Sequence, residues 1–236
     1  SACPENPDFS MGYVWPVYDT YDVFASNLDG SGLRQLTTED GYDAEATFSP
    51  VGDRIVFTSA RDGDLELYSM AADGSDVTRL TDRPGYDGGA FYSPDGSKII
   101  WRAHYPEEGP ELEDYRRLLS QGLLRPGELE IYIMDADGSN QQQLTQLGGA
   151  NFAPYWHPSG EKIVFSSNHH DPDGRDFDIY MINLDGSGLT RITHSEGFDG
   201  FPVFSPDGRY LVFGSNRNNG GTSDTNVFIG EWIETP

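Results

Sequence analysis

The sequence predicts an all-β protein, a β-propeller of four-stranded antiparallel blades with one short helical insertion. Three observations predict it. A unit of about 45 residues recurs along the 236-residue chain. The three complete units carry the same two turns in the same order, and the segments between them are short, β-branched and aromatic. A sandwich or a solenoid of hairpins is the competing reading, but the period and the four-strand grammar favour radial repetition.

Each unit opens on a short apolar stretch that runs into Ser-Pro-Asp-Gly or a variant: Ser49-Pro50-Val51-Gly52, Ser93-Pro94-Asp95-Gly96, His157-Pro158-Ser159-Gly160 and Ser205-Pro206-Asp207-Gly208. Proline pre-sets the backbone at the second turn position, and Asp and Gly suit those that follow. The prolines are 44, 64 and 48 residues apart. A second strand comes next, such as Ile163-Val164-Phe165. It is apolar on both faces, as a strand sandwiched between two sheets must be. A variable loop leads to a third strand, such as Asp178-Ile179-Tyr180-Met181, and an Asp-Gly-Ser turn leads to a fourth, Leu189 to Thr193.

One domain, 1–236, holds five units, approximately 1–40, 41–84, 85–148, 149–196 and 197–236. Shifting the second unit back by 44 residues places Tyr68 on Phe24 and Phe57 on Tyr13. The first unit is therefore expected to hold strands two to four and the last to stop after its third, giving three complete and two three-stranded units.

Lys and Arg total 15 against 39 Asp and Glu, a formal charge of −24. A surface this acidic repels nucleic-acid phosphates and anionic headgroups. There is no run of about 18 apolar residues, so no transmembrane helix is expected. The single cysteine, Cys3, cannot form a disulfide within the chain. "Ser-Ala-Cys" is a weak match to the end of a lipoprotein signal.

Strand alternation puts both repeated turns on one face, and the strand-two-to-three and interblade loops on the other. That second face is the variable one, where function on a rigid scaffold concentrates. Its longest insertion, 107–126, reads as an amphipathic helix with Pro110 in the first turn and Glu111, Glu113 and Asp114 at the positive end. Two compatible roles follow. The helix caps the propeller mouth by burying its leucines, or it docks a partner through Tyr115, Arg116, Arg117, Leu118 and Leu119.

The interblade loops place Asp43, Asp87, Asn151 and Asp199 at matching sites. They form either an acidic rim that holds a hard cation or a set of local structural bonds, and repetition favours the second. His104 and His169 are aligned with Arg61 and Arg217, just after strand two. His157 replaces the turn serine on the repetitive face. A metal centre would draw on Asp43, Asp87, Asp199, His104 and His169, with a divalent cation in the central channel. No nucleophile elbow, Walker A loop or haem-attachment motif is present, and "Asp-Pro-Asp-Gly" from Asp171 lacks the twelve-residue order of a calcium loop.

The run S-P-D-G, I-x-F, I-Y-x-M, D-G-S, R-L-T resembles the TolB-like, or PD40, group of β-propellers, over nearly the whole chain. The segments "DYRRLLSQGLLRPGELEIYIMDADGSN" and "GFDGFPVFSPDGRYLVFGSNRN" look like a bacterial exported subgroup. The resemblance implies a periplasmic or otherwise exported protein that binds other proteins. It also implies the C-terminal part of a propeller of six or more blades. Cys3 would then pair with an upstream cysteine in an oxidising compartment. The leading expectation is a non-enzymatic scaffold, an accessory subunit of a membrane-attached complex. The alternative is a metal-dependent lyase or hydrolase acting on a saccharide or peptide at the propeller mouth. A regulatory propeller attached to a catalytic domain is the third.

Overall fold

A computed structural model describes residues 9–222 and 224–233. Cys3, with both readings of its fate, lies outside the described residues. In chain order the strands begin with β1 (Trp15–Pro16), β2 (Phe24–Ala25) and β3 (Arg34–Gln35). Blade one is β4 (Asp43–Phe48), β5 (Arg54–Ser59), β6 (Glu66–Ala71) and β7 (Thr78–Arg79). Blade two is β8 (Tyr86–Tyr92), β9 (Lys98–His104), β11 (Glu130–Asp135) and β12 (Gln142–Gln143), interrupted by α1 (Pro110–Leu119) and β10 (Leu123–Leu124). Blade three is β13 (Asn151–Trp156), β14 (Lys162–Ser167), β15 (Asp178–Asn183) and β16 (Thr190–Arg191). Blade four is β17 (Asp199–Phe204), β18 (Tyr210–Ser215) and β19 (Asn226–Glu231). All pairings within the blades are antiparallel.

The blades stack face to face, and alternation along each second strand feeds both sides. Ile55 and Phe57 pack towards Val23 and Leu36 beside β2 and β3. Val56 between them packs with Ala90, Ile99, Trp101 and Met134 of blade two. Ile163 and Phe165 do the same towards blade two, and Val164 towards Phe204 and Leu211 of blade four. This two-sided burial is why the strand sequences show no polar alternation.

The fourth strands are only two residues long because a side chain takes over the ladder. The threonine of each Arg-x-Thr or equivalent motif accepts the next backbone N–H of the third strand. Leu67 N donates to Thr81 Oγ1 at 2.9 Å, Ile131 N to Thr145 Oγ1 at 2.8 Å and Ile179 N to Thr193 Oγ1 at 2.9 Å. Val23 N donates in the same way to Thr37 Oγ1, which marks β2 and β3 as the same kind of strand pair. In the Asp-Gly-Ser turns the carboxylate accepts from the serine backbone and hydroxyl, as at Asp73 and Ser75 (2.9 and 2.6 Å). His157 does stand in a serine's place, with Nδ1 2.9 Å from Ser159 Oγ.

The first unit departs from expectation. Its described residues form two blade strands, β2 and β3, rather than three. The stretch aligned with a second strand instead pairs as β1 with β10, Trp15 opposite Leu124 and Pro16 opposite Leu123. Pro16 lacks a ladder donor and ends the strand. The chain leaving α1 then supplies the partner, with Val17 N donating to Gly122 O at 2.7 Å. Four blades are therefore present among the described residues, and no helix among them is long and apolar enough to cross a membrane.

Candidate functional site

The variable face is organised by a bulge that recurs in every inner strand. The register slips between Ala44 and Thr47, Gly88 and Phe91, Phe152 and Tyr155, and Gly200 and Val203. Each slip carries one residue in the left-handed region: Glu45 (φ 55°), Gly89 (60°), Ala153 (51°) and Phe201 (56°). A bulge bends its strand and re-aims a side chain. For a residue as bulky as phenylalanine this backbone is costly and persists only where the surroundings impose it. Here Phe201 N donates to Ser166 Oγ at 2.9 Å, which locks the bulge of blade four to blade three.

The side chain so aimed is 59% exposed. It joins Phe152, Phe177 and Phe198 in a cluster with ring centroids 5.4 to 6.0 Å apart. These rings wall a cavity of about 680 Å³ that also takes in Tyr13, Trp15 and Arg175. Arg175 is exposed, and its guanidinium sits 5.4 Å from the Tyr13 ring centre. Below Trp15, Arg102 donates to Tyr86 Oη at 2.6 Å and pairs with the Glu45 carboxylate. The site offers apolar and aromatic surface with one cation at its edge. Sequence reading passed over it because the loops that supply Phe152, Phe198 and Phe201 were read for their acids.

The insertion helix forms as expected, Pro110–Leu119, with Glu111 and Glu113 in its first turn. Tyr115 and Leu118 are buried, and Tyr115 packs with Leu65, Tyr86, Leu124 and Leu129. The Tyr115 hydroxyl donates to Gly85 O at 2.6 Å and also contacts Asp64. Those two side chains hold the helix down and present nothing to a partner. Arg116 and Arg117 are exposed and Leu119 is partly so, although Arg117 is paired with Asp114 at 2.5 Å.

The five residues selected for a metal go to separate duties. Asp43 and Asp199 are buried and ion-paired within their own blades, Asp43 with Arg61 at 3.1 Å and Asp199 with Arg217. Ser215 Oγ also donates to Asp199, at 2.5 Å. Asp87 accepts from Trp101 Nε1 at 2.5 Å and Tyr105 Oη at 2.6 Å. Asn151 accepts from Ser167 Oγ at 2.6 Å. The matched sites are thus interior, not an open acidic rim. His169 Nδ1 lies 2.9 Å from Leu147 O. His104 Nδ1 lies 2.8 Å from Glu128 O, with Nε2 3.3 Å from Glu111. The alignment of His104 with Arg61 also shifts by one residue. Asp87 is opposite Ala103 as Asp43 is opposite Ser59, so Tyr105 stands in the arginine's place.

Among the described residues one group has metal-ligand spacing: His170, Asp176 and Asp178. His170 Nε2 is 3.2 Å from Asp176 and 3.5 Å from Asp178. A cation already serves it, because Arg191 Nε donates to Asp178 at 2.7 Å and Arg191 Nη2 is 3.1 Å from His170 Nε2.

The family model for the PD40 TolB beta propeller domain matches residues 14–110 and 147–225. Curated proteins give no match by sequence. Among solved structures, TolB from Acinetobacter baumannii superposes with a TM-score of 0.71 at 18% identity, covering 92% of this chain and 47% of that one. A putative TolB from Agrobacterium tumefaciens gives 0.62 at 22% identity, covering 86% of this chain and 66% of that one. The β-propeller domain of the Trilobed protease from Pyrococcus furiosus, described as having an open velcro topology, gives 0.55 at 16% identity, with 89% and 59% covered. The chain thus spans under two thirds of each of these structures.

Proposed function

The chain belongs to the PD40 TolB beta propeller domain family, and from that premise we propose that it is a non-enzymatic, exported scaffold that binds another protein through the aromatic mouth of its variable face. The observation that carries this reading is Phe201. A bulky residue held in a costly backbone conformation, with its ring exposed in a cavity walled by three further phenylalanines, is what a contact surface needs. Aromatic rings and an arginine are the residues that dominate protein–protein hot spots. Arg175 gives the rim a positive point on a chain of net charge −24, suited to an acidic or carboxylate-bearing segment of the partner.

The finer readings belong to the same proposal. The partner is part of a membrane-attached complex, the compartment is the periplasm, and the β2–β3 pair belongs to a further propeller unit. A photo-crosslinking side chain at position 201, compared with one at position 95 on the repetitive face, tests the mouth in cells. The expected result is a discrete protein adduct from 201 and none from 95. Equal adducts from both positions, or none from 201, would defeat the proposal.

A further inference from the structure

We propose that Asp87 is a carboxylic acid at neutral pH and donates a hydrogen bond to Glu66 across the seam between blades one and two, making that seam tighter in acid and looser in alkali. The inference rests on comparing one seam with the next. Asp43 and Asp199 are each neutralised by an arginine two residues beyond their strand partner. Asp87 has no such cation, since its strand partner is Ala103 and Tyr105 occupies the arginine's place. Trp101 and Tyr105 both donate to Oδ1 of Asp87, and the Thr81 hydroxyl lies between this carboxyl and that of Glu66, favouring the ionised form of each. Oδ2 of Asp87 is buried without a partner, and so is Oε2 of Glu66, whose Oε1 takes Arg79 Nη2 at 2.6 Å. Both residues are fully buried.

The adjacent seam shows what these two oxygens do. Glu130 and Asn151 occupy the positions of Glu66 and Asp87, at the start of a third strand and of the following inner strand. There Asn151 Nδ2 donates to Glu130 Oε2 at 3.2 Å. Asp87 therefore puts an oxygen where Asn151 has an amide donor. Two ionised carboxylates, each with a bare oxygen in a dry seam, repel and are unsolvated. One proton converts Asp87 into a donor of the same shape as asparagine.

The surroundings agree on which group holds it. Burial foremost pushes Asp87 well above the ordinary carboxylate range, and the charge of Glu66 adds to this against the Tyr105 and Trp101 bonds. Burial also raises Glu66, but Thr81 and Arg79 favour its ionised form. The other groups facing the pair are Asp62 and Asp64 on the loop before β6, Arg83 stacked on Tyr105, Tyr132 of β11 and Tyr115 of α1. Tyr115 links the seam to the insertion helix through Asp64 and Gly85.

The sign follows from linkage. An unfolded aspartate loses its proton near pH 4, whereas the folded one keeps it, so folding stability drops as pH rises above about 4. Asp87→Asn removes that dependence and keeps the hydrogen bond, as Asn151 does. In urea unfolding from pH 4 to 8.5, the ratio of wild-type to variant unfolding constants should rise with pH, by up to about tenfold per unit. Infrared spectra of the wild type at pH 7 should show a protonated-carboxyl C=O stretch that is missing from the variant. A variant destabilised equally at every pH would overturn the proposal. So would a wild-type spectrum at pH 7 without that band, which needs no variant to fold. Stabilisation of the wild type by added calcium or sodium, lost in the variant, would replace the proton with a cation.

Discussion

Leu118→Ala separates a helix that is part of the core from one merely laid on the surface. Leu118 is fully buried, on a helix that packs against β10. The substitution removes three carbons, worth about 0.8 kcal/mol each in transfer, or roughly 2.4 kcal/mol. A cavity penalty adds to this, because β10, against which the helix packs, is held by its pairing with β1 and collapses only partly, so the loss should reach about 3–4 kcal/mol. Equilibrium urea unfolding is the assay, with the dependence on denaturant unchanged and the midpoint lowered. Limited proteolysis within 107–126 should speed up in parallel. Arg116→Ala, on the exposed face, should stay within about 0.5 kcal/mol of wild type. A loss below about 1 kcal/mol for Leu118→Ala, with unchanged proteolysis, would refute the clamped-helix reasoning. For the same reason, deletion of 107–126 is no clean test of partner binding.

Two further outcomes are expected. Arg191→Gln removes the cation that serves His170, Asp176 and Asp178, so zinc should raise the melting temperature of the variant and not of wild type; equal shifts would show that Arg191 does not compensate that cluster. Asp95 is held at about 2 by bonds from Ser93 and Ser97, so its contribution is present above the ordinary value near 4 and is lost as pH falls through about 2. The stability gap between wild type and Asp95→Asn should therefore close between pH 4 and pH 2, a sign opposite to that of Asp87, and a gap that stays constant would count against the turn assignment.

The repeat and its turns are local chemistry, which is why they were legible. Pro94, Asp95 and Gly96 set their own backbone, and Asp73 bonds a serine two residues away, so no distant residue is needed to read them. The helix at Pro110 is equally local, since its start and its apolar stripe lie within ten residues. The partners of the metal candidates were not legible in the sequence, because convergence depends on where strands meet. A serine on the adjacent strand and an arginine just beyond its end, invisible as partners in the linear order, claim Asp199. A one-residue error in register moved the arginine's place from Tyr105 to His104.

By itself the sequence determined the blade grammar, the two faces and the helical insertion, because each is encoded by residues a few positions apart. Tertiary structure alone decided three things: that β1 leaves its unit for β10, that four phenylalanines from neighbouring strands and loops form one mouth, and that Asn151 bonds Glu130 while Asp87 and Glu66, at the matching places, each keep a bare oxygen. Each brings together residues from segments at least 20 positions apart, and such contacts exist only once the twist of the sheets has brought whole blades face to face.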